Sequence, residues 1–349
     1  MLPSVAVDCF GMSVDGNTLL RLTDLTVDFA SQEGSVHAVD KVSFDVGPGE
    51  LVGLVGESGC GKSVTASAII GLTSMVPNAT VSGRIEFNGK DMLTMSANDV
   101  RAIRGRDISM IFQDPVTSLN PVLSIERLMT EGLELHLGMS HAEAVRRSIE
   151  LLGEVGIPKA AGRIKDYPHQ FSGGMRQRVM IAIALSCNPK LLLADEPTTA
   201  LDVTIQAQIL RLLKKLSREH EAAVIVITHD LGVVAGMCQR ILVMYAGRIV
   251  ESGPAKPLFA RPHHPYTIGL LKSVPRLNEP RRDTLQTISG LPPDLAHLPP
   301  GCSFAPRCYL ASDECWAAVP ELSPTDAGRL SACFHAGTLR GDEPVEVGA

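Results

Sequence analysis

The sequence predicts an α/β fold with a mainly parallel sheet, because short buried strands alternate with amphipathic helices. Runs of apolar residues long enough for one strand buried on both faces occur at residues 51–55, 191–194 and 224–228. A long helix separates the last two, since apolar residues recur there every three or four positions. These apolar positions are Ile205, Ile209, Leu212, Leu213 and Leu216. Alternation of this kind is typical of an α/β core.

Other segments predict an antiparallel part and a helical part. Near-alternating apolar residues at 19–46, and a further strand at 84–87 before Asn88-Gly89, predict antiparallel strands. Residues 110–112 predict another short strand, and 241–245 with 248–251 predict a hairpin. The interval 115–187 has a helical pattern, in which Ser140 and Glu143 form a capping box. The face of that capped helix is predicted to consist of Val145, Ile149 and Leu152, before Gly156 ends it.

Composition restricts the class of protein. Of 349 residues, 45% are hydrophobic and 20% charged, which supports a sizeable core rather than disorder. A net charge of −6 and 4% aromatic residues argue against a nucleic-acid partner. Residues 1–17 lack the pattern of a signal peptide, and no apolar run reaches the roughly 20 residues that a bilayer requires. We therefore expect a soluble chain whose membrane role, if it has one, depends on partners.

The composition changes after Gly253, where proline becomes frequent and apolar residues no longer recur at regular intervals. We predict a nucleotide-binding domain at residues 19–253, with a helical subdomain at about 115–187. A small irregular C-terminal domain, rich in cysteine, is predicted at 254–340.

The segment Gly56-Glu57-Ser58-Gly59-Cys60-Gly61-Lys62-Ser63 matches the phosphate-binding P-loop. It stands between a buried strand and a helix, as that motif requires. Backbone N–H groups of such a loop surround phosphates, and the helix N-terminus adds positive potential. Lys62 is expected to reach the β- and γ-phosphates, and the Ser63 hydroxyl to bind Mg²⁺. The nucleotide-binding residues predicted here are Gly56, Ser58, Gly59, Cys60, Gly61, Lys62, Ser63 and Val64.

A second motif, which contains two acidic residues, follows the run Leu191-Leu192-Leu193-Ala194. Asp195, at the end of this strand, is predicted to bind Mg²⁺. Glu196 is predicted to orient and polarise the attacking water as the catalytic carboxylate. Alone, two acids at a strand end would be unremarkable, but beside a P-loop they indicate nucleotide hydrolysis.

The segment Phe171-Ser172-Gly173-Gly174-Met175-Arg176-Gln177-Arg178 resembles the signature sequence of ATP-binding-cassette (ABC) ATPases. It departs from the commonest form at Phe171 and Met175. Its Ser172, Gly173 and Gly174 are intact, and a helix N-terminus there would form a second anion site. The resemblance implies an ABC-type P-loop NTPase core, in which this turn serves ATP bound to a facing subunit.

Further residues follow in the order of that family. Gln113 resembles the glutamine that touches Mg²⁺ or water, and Ala200-Leu201-Asp202 resembles the loop that crosses to the partner. His229 resembles the switch histidine that contacts the γ-phosphate. Phe29 is the candidate for stacking on adenine, with core packing an equal alternative.

Several segments resemble the peptide and nickel importer subfamily in particular. They are 113–121, Tyr167-Pro168-His169-Gln170, 198–204 and His263-His264-Pro265-Tyr266-Thr267. This resemblance implies an ATPase that energises peptide import from the cytoplasmic face of the membrane. It also implies a second ATPase subunit, two permease subunits and an external substrate-binding protein. Nickel or glutathione import remains open as an alternative.

Four C-terminal cysteines, Cys302, Cys308, Cys315 and Cys333, are separated by five, six and seventeen residues. Four thiolates could complete a structural metal site, but spacing alone does not separate zinc from an iron–sulfur cluster. The subfamily resemblance implies a [4Fe–4S] cluster. Zinc is the alternative metal, and the simplest alternative is that the cysteines are free or occasionally paired thiols. A different class of function also stays open: a non-transport ABC ATPase with a redox-sensing cluster. Against a chromosome-type ATPase, the interval from Gln113 to Ser172 is too short for a long coiled coil.

Overall fold

The structure is a computed structural model that describes residues 18–31, 34–198, 202–273, 288–326 and 328–338, apart from the side chain of Val203. The strands in this part are β1 (Leu20–Ser31), β2 (Gly34–Val46), β3 (Leu51–Val55), β4 (Ala79–Phe87), β5 (Lys90–Asp91), β6 (Ile108–Ile111), β7 (Leu191–Asp195), β8 (Ala223–Thr228), β9 (Arg240–Tyr245), β10 (Arg248–Pro254), β11 (Ser323–Pro324) and β12 (Leu330–Ser331). The α-helices are α1 (Lys62–Ile69), α2 (Ala97–Ile103), α3 (Pro115–Ser118), α4 (Ile125–Leu137), α5 (His141–Glu154), α6 (Ala160–Arg163), α7 (Gly173–Leu185), α8 (Val203–Glu219), α9 (Leu231–Ala235), α10 (Ala255–Ala260), α11 (Pro265–Lys272) and α12 (Asp313–Ala317). Single 3₁₀ turns cover Thr73–Met75, Pro168–Gln170 and Ala305–Arg307.

The described chain forms two compact units. The first is built from the chain up to Gly47, from Leu51 to Thr94, and from Thr228 onward. The second is built from Pro48–Glu50 and Met95–Ile227.

The first unit contains both antiparallel and parallel strands. Strands β2, β1, β4 and β5 pair antiparallel in that order, which confirms the antiparallel part of the prediction. Strand β3 is buried along its whole length and pairs parallel with β9, which in turn pairs antiparallel with β10. The apolar run of β3 therefore lies inside the core, where a strand covered on both faces needs no polar side.

Two of the predicted tight turns have the backbone that hairpins of this length favour. Asn88 and Gly89 have φ of 51° and 77°, and Ala246 and Gly247 have φ of 47° and 80°. Positive φ at both central residues matches the twist of the flanking strands. The second turn joins β9 to β10, as the sequence predicts.

The second unit contains the parallel strands β6, β7 and β8, the last as far as Ile227, and the whole helical interval. Strand β6 pairs parallel with β7, and β7 pairs parallel with β8. Strand β6 covers residues 108–111, so the predicted strand at 110–112 was placed too late, and Phe112 is 41% exposed. Parallel order brings the carboxyl ends of β6 and β7 to one edge of the sheet.

Helix α5 begins with the predicted capping box, in which Ser140 and Glu143 bond each other's backbone N–H. The predicted apolar face was partly wrong, since Val145 and Ile149 are only half-buried. The buried positions are Ala144, Ser148, Leu151 and Leu152. Ser148 is tolerated inside because its hydroxyl donates to the Ala144 carbonyl at 2.7 Å, which satisfies the polar group within the helix.

The chain after β10 stays in contact with the first unit. Strand β12 pairs antiparallel with β10, and the Ala332 N–H donates to the Val250 carbonyl at 2.8 Å. Phe304, Leu330 and Ala332 are buried. In the described part of the chain, no helix combines the length and apolar character that crossing a membrane demands.

Candidate nucleotide-binding site

The P-loop lies between β3 and α1, in the strand–loop–helix context that its sequence predicts. Two of its glycines, Gly56 and Gly61, are required by close backbone approach. A Cβ on Gly56 would lie 2.2 Å from the Met244 carbonyl oxygen, and one on Gly61 would lie 2.3 Å from that of Ala38. Gly61 also has a φ of 104°, which only glycine adopts readily. Side chains at these two positions would therefore prevent the loop from curling as it does.

Lys62 is the first residue of α1 and is buried. Its ammonium donates to the carbonyls of Gly56 at 2.8 Å and Glu57 at 2.7 Å. These bonds hold a positive charge inside the curve of the loop, where phosphates are expected. Ser63, the next residue, is exposed at the start of the helix. Burial raises the pKa of the Cys60 thiol, so this cysteine stays neutral within the loop.

The acidic pair stands at the end of β7. Asp195 is the last residue of the strand and is buried, while Glu196 is half-buried. Glu196 has a φ of 44°, an uncommon backbone for a residue with a side chain. Its N–H donates to the Ile227 carbonyl at 2.8 Å. Strained backbone of this kind is maintained by its surroundings and is common at functional sites.

The structure brings together two residues predicted from separate motifs. Gln113 follows β6, Glu196 follows β7, and the Gln113 Nε2 donates to the Glu196 Oε2 at 2.7 Å. The bond fixes the direction in which the carboxylate points. A polarising carboxylate must be held in place in this way to act on a water molecule.

The signature segment forms the N-terminus of α7. Ser172 caps this helix by accepting a hydrogen bond from the Met175 N–H at 3.4 Å. Ser172 and Gly173 are exposed, and a Cβ on Gly174 would lie 3.0 Å from Ile205. The departure at Phe171 has a packing explanation, because its buried ring lies 4.1 Å from the Arg163 guanidinium.

Three further predicted residues lie at the ends or edges of elements. His229 follows β8 and is exposed. Asp202 caps α8 by accepting from the Ile205 N–H at 3.0 Å, whereas Ala200 and Leu201 lie outside the described residues. Phe29 is half-buried on β1, opposite Val36 of β2. The first unit thus carries the P-loop, Phe29 and His229, and the second carries Gln113, the signature segment, the acidic pair and Asp202.

The four C-terminal cysteines line one small cavity, of about 10 Å³, together with Phe304 and His335. Cys315 Sγ lies 3.6 Å from the His335 Nε2. Burial raises the pKa of the Cys333 thiol to about 11 and also raises those of Cys302 and Cys308. Nowhere in the described chain do three or more His, Cys, Asp or Glu side chains converge closely enough to hold a metal ion. The expected [4Fe–4S] cluster is therefore not supported by the arrangement of these side chains, although the four thiols share one cavity.

Sequence reasoning missed three residues at the P-loop. Glu57 occupies a position that the P-loop pattern leaves open, and Arg307 belongs to no motif named above. Tyr266 was noticed only as part of a subfamily motif. In the structure the Glu57 N–H donates to the Tyr266 hydroxyl at 2.7 Å, and Arg307 donates to the Glu57 carboxylate. The only sequence signal was the segment His264-Pro265-Tyr266, which carries no information about its contact.

Comparison with known proteins defines the class of protein. The ABC transporter family matches residues 39–199, and the C-terminal region of oligopeptide/dipeptide transporters matches residues 250–315. A solved ATP-binding cassette, MJ0796, in a dimeric post-hydrolysis state with ADP and phosphate, superposes with a TM-score of 0.58 at 30% identity. It covers 68% of this chain and 98% of its own. A cassette of an ABC transporter complex from Clostridium perfringens has a TM-score of 0.58 at 27% identity, and covers 70% of this chain and 91% of its own.

The chain belongs to the ATP-binding subunits of the ABC transporter family. Within that family it is similar to the oligopeptide transport ATP-binding protein OppD of Salmonella typhimurium, with 54% identity over 91% of this chain and 94% of the relative. The OppD protein of Escherichia coli is 52% identical over 91% and 93%. The oligopeptide transport ATP-binding protein AppD of Bacillus subtilis is 50% identical over 91% and 97%.

Proposed function

We propose that this chain hydrolyses ATP to energise the import of peptides through an ABC transporter. The observation that carries the proposal is the bond between Gln113 and Glu196, which aims a carboxylate held on a strained backbone. Peptides are preferred over nickel complexes or glutathione because relatives at 50–54% identity are oligopeptide transport proteins.

In the proposed reaction, the P-loop binds the triphosphate and Lys62 offsets its negative charge. Glu196 polarises a water molecule for in-line attack on the γ-phosphorus and accepts its proton. The bond from the γ-phosphorus to the bridging oxygen breaks, which gives ADP and phosphate. His229 and Lys62 stabilise the charge on the phosphoryl oxygens, and Phe29 stacks on adenine.

Magnesium would be held by oxygen donors, which this ion prefers. The Ser63 hydroxyl, the Asp195 carboxylate and the Gln113 side-chain oxygen form a set of that chemistry. When bound, the ion neutralises charge on the phosphate oxygens.

The proposed assembly contains a second, related ATPase subunit, since a single nucleotide-binding core is recognised per chain. Ser172, Gly173, Gly174 and Asp202 would then face nucleotide bound to the partner. Association with two permease subunits, on the cytoplasmic face of the membrane, would transmit closure of the ATPase pair. An extracytoplasmic binding protein would deliver the peptide.

We also propose that the chain divides functionally near residue 253, with the helical subdomain at about 115–187.

The variant Glu196→Gln tests the assigned carboxylate. ATP turnover should fall by at least about a hundredfold, because water activation is lost, while the affinity for Mg-ATP is retained. Turnover and binding would be measured on the assembled transporter in vesicles that contain ATP, with a reporter peptide supplied outside. Glu219→Gln, at the exposed end of α8, is the matched control and should turn over normally. Normal hydrolysis by Glu196→Gln would refute the mechanism, and hydrolysis without peptide uptake would refute the cargo.

We further propose that Cys302, Cys308, Cys315 and Cys333 hold a [4Fe–4S] cluster, with zinc as the alternative. The support is chemical, because each of four thiolates can bind one iron and all four line one cavity. Anaerobically purified protein should contain about four iron and four sulfide per chain and absorb near 400 nm. Replacement of all four cysteines by serine should remove both. Zinc without sulfide would select the alternative, and a protein without metal would refute both.

A further inference from the structure

Glu57, the second residue of the P-loop, is contacted through both its backbone and its side chain. Its backbone N–H donates to the Tyr266 hydroxyl at 2.7 Å. Its carboxylate accepts two bonds from the Arg307 guanidinium, at 2.6 and 3.0 Å. Tyr266 and Arg307 both come from the chain after β10, so a distant segment holds the loop from two sides.

Both residues that contact Glu57 are themselves held firmly. The Arg307 side chain is only 5% exposed, donates through Nε to the Ser289 carbonyl at 2.9 Å, and lies near the Tyr245 ring. Tyr266 is buried with its ring 4.6 Å from that of Tyr245. A two-point bond from a fixed guanidinium is directional as well as strong. The contacts can therefore restrain the loop rather than follow it.

His264, two residues before Tyr266, connects the same segment to the rest of the C-terminal chain. His264 is fully buried, and burial lowers its pKa to about 3, so its ring is neutral. Its Nδ1 accepts from the Tyr266 N–H at 3.1 Å, and its ring also hydrogen-bonds the Ala332 backbone. Phe304, two residues beyond Cys302, packs against the rings of Tyr245 and Tyr266. The cysteine-bearing segments thus continue directly into the contacts with Glu57.

Charge explains why such a contact would matter for the reaction. A carboxylate in an anion-binding loop repels a triphosphate, and this carboxylate is only partly buried. Arg307 neutralises that charge and draws it toward the C-terminal segment. The bond to Tyr266 meanwhile fixes the start of a glycine-rich loop, which lowers the entropy lost on binding ATP.

We propose that Tyr266 and Arg307 are positioning residues for ATP binding, which hold Glu57 so that its charge and backbone do not oppose the nucleotide. The C-terminal extension then acts as a support for the P-loop. This inference rests on the ATPase activity of the chain and on no property of a bound cluster.

The test is a double-variant series on the full chain in its assembled transporter. Arg307→Ala should raise the KM for ATP about tenfold, with kcat changed by less than about twofold, because the unpaired carboxylate opposes binding before chemistry begins. Adding Glu57→Gln should bring the KM back to within about threefold of normal, since the offending charge is gone. High salt should reduce the defect of Arg307→Ala by screening that charge.

Conservative variants separate positioning from loss of fold. Arg307→Lys should show an intermediate KM, and Tyr266→Phe should raise the KM and speed amide exchange at residues 56–63. Asp326→Asn, which removes the acid partner of Arg329 in the same extension, is the matched control and should leave the KM unchanged. If Arg307→Ala does not fold, Arg307→Lys and Tyr266→Phe carry the test.

An unchanged KM in all three variants, or a fall in kcat alone, would overturn the proposal. So would a double variant no better than Arg307→Ala. Absence of ATP turnover in the unaltered protein would instead refute the activity itself, so the two failures are distinguishable.

Discussion

At the scale of single residues, the hydrolytic centre depends on how one carboxylate is aimed. Glu196 is directed by its own φ of 44° and by the Gln113 amide. Sequence spacing predicted both residues, and their order in the family motifs suggested a shared site. Their bond length and the strained backbone come from neighbouring parallel strands, which local pattern does not specify.

Replacing Gln113 by alanine should lower kcat between about ten- and a hundredfold, because the carboxylate loses its direction but keeps its charge. The affinity for ATP in the absence of Mg²⁺ should change little. Steady-state hydrolysis and equilibrium nucleotide binding measure the two effects separately. Gln208→Ala, in the same unit, loses only a contact with Arg178 and is the control. A purely higher KM in Gln113→Ala would contradict the positioning role.

Glu251 gives a pH dependence of stability at the residue scale. Burial raises the pKa of this carboxyl to about 7, and its Oε1 accepts from the His263 N–H at 2.6 Å. The folded state therefore binds a proton that the unfolded state has already released above about pH 4.5. The stability that this group contributes is fully present below about pH 4.5 and is lost as the pH rises toward 7.

In Glu251→Gln, the free energy of unfolding should fall less between about pH 4.5 and 7, by on the order of 2 kcal/mol. Thermal unfolding at a series of pH values would show it as a smaller decline of Tm. The exposed carboxylate variant Glu321→Gln should retain the decline. Parallel curves for Glu251→Gln and the unaltered protein would exclude this group as the cause.

At the scale of elements, α5 illustrates both what a cap specifies and what a periodic pattern misses. The capping box fixed the start of the helix correctly, since it involves only neighbours in the chain. The buried face was misjudged because Ser148 is satisfied within its own turn. Apolar periodicity cannot detect a buried polar residue whose hydroxyl is hydrogen-bonded within its own helix.

Ser140→Ala should lower the free energy of unfolding by about 1 kcal/mol, because the Glu143 N–H loses the acceptor that the Ser140 hydroxyl supplies. ATP turnover should be unaffected, since α5 carries none of the proposed site residues. Thermal and denaturant unfolding would measure the change. His141→Ala, one residue later and exposed, tests whether any substitution there has the same effect. Equal losses in both would contradict the assignment to the cap.

At the scale of the whole molecule, the chain after β10 is built into the unit that carries the P-loop. Strand β12 extends β10, and Arg307 and Tyr266 reach Glu57. Removing residues 255–349 should therefore lower Tm, cause aggregation and weaken ATP binding, because Tyr245 would lose its contacts with the rings of Tyr266 and Phe304. Melting and size-exclusion profiles of the truncated chain, beside a chain truncated only at residue 339, would check this. A stable, monomeric, ATP-binding 1–254 fragment would show that the core is independent of the extension.

The sequence by itself determined the strand and helix types, the tight turns, the P-loop and the acidic pair, because each depends on neighbours within a few positions. It also pointed to the family through the Ser172-Gly173-Gly174 turn. Only the tertiary structure decided which distant residues meet. Arg307 and Glu57 are 250 positions apart, and their contact follows from packing of the extension, which no local period records. The physical reason is that local geometry is encoded by nearest neighbours, whereas charge pairing across a fold is encoded by the whole chain.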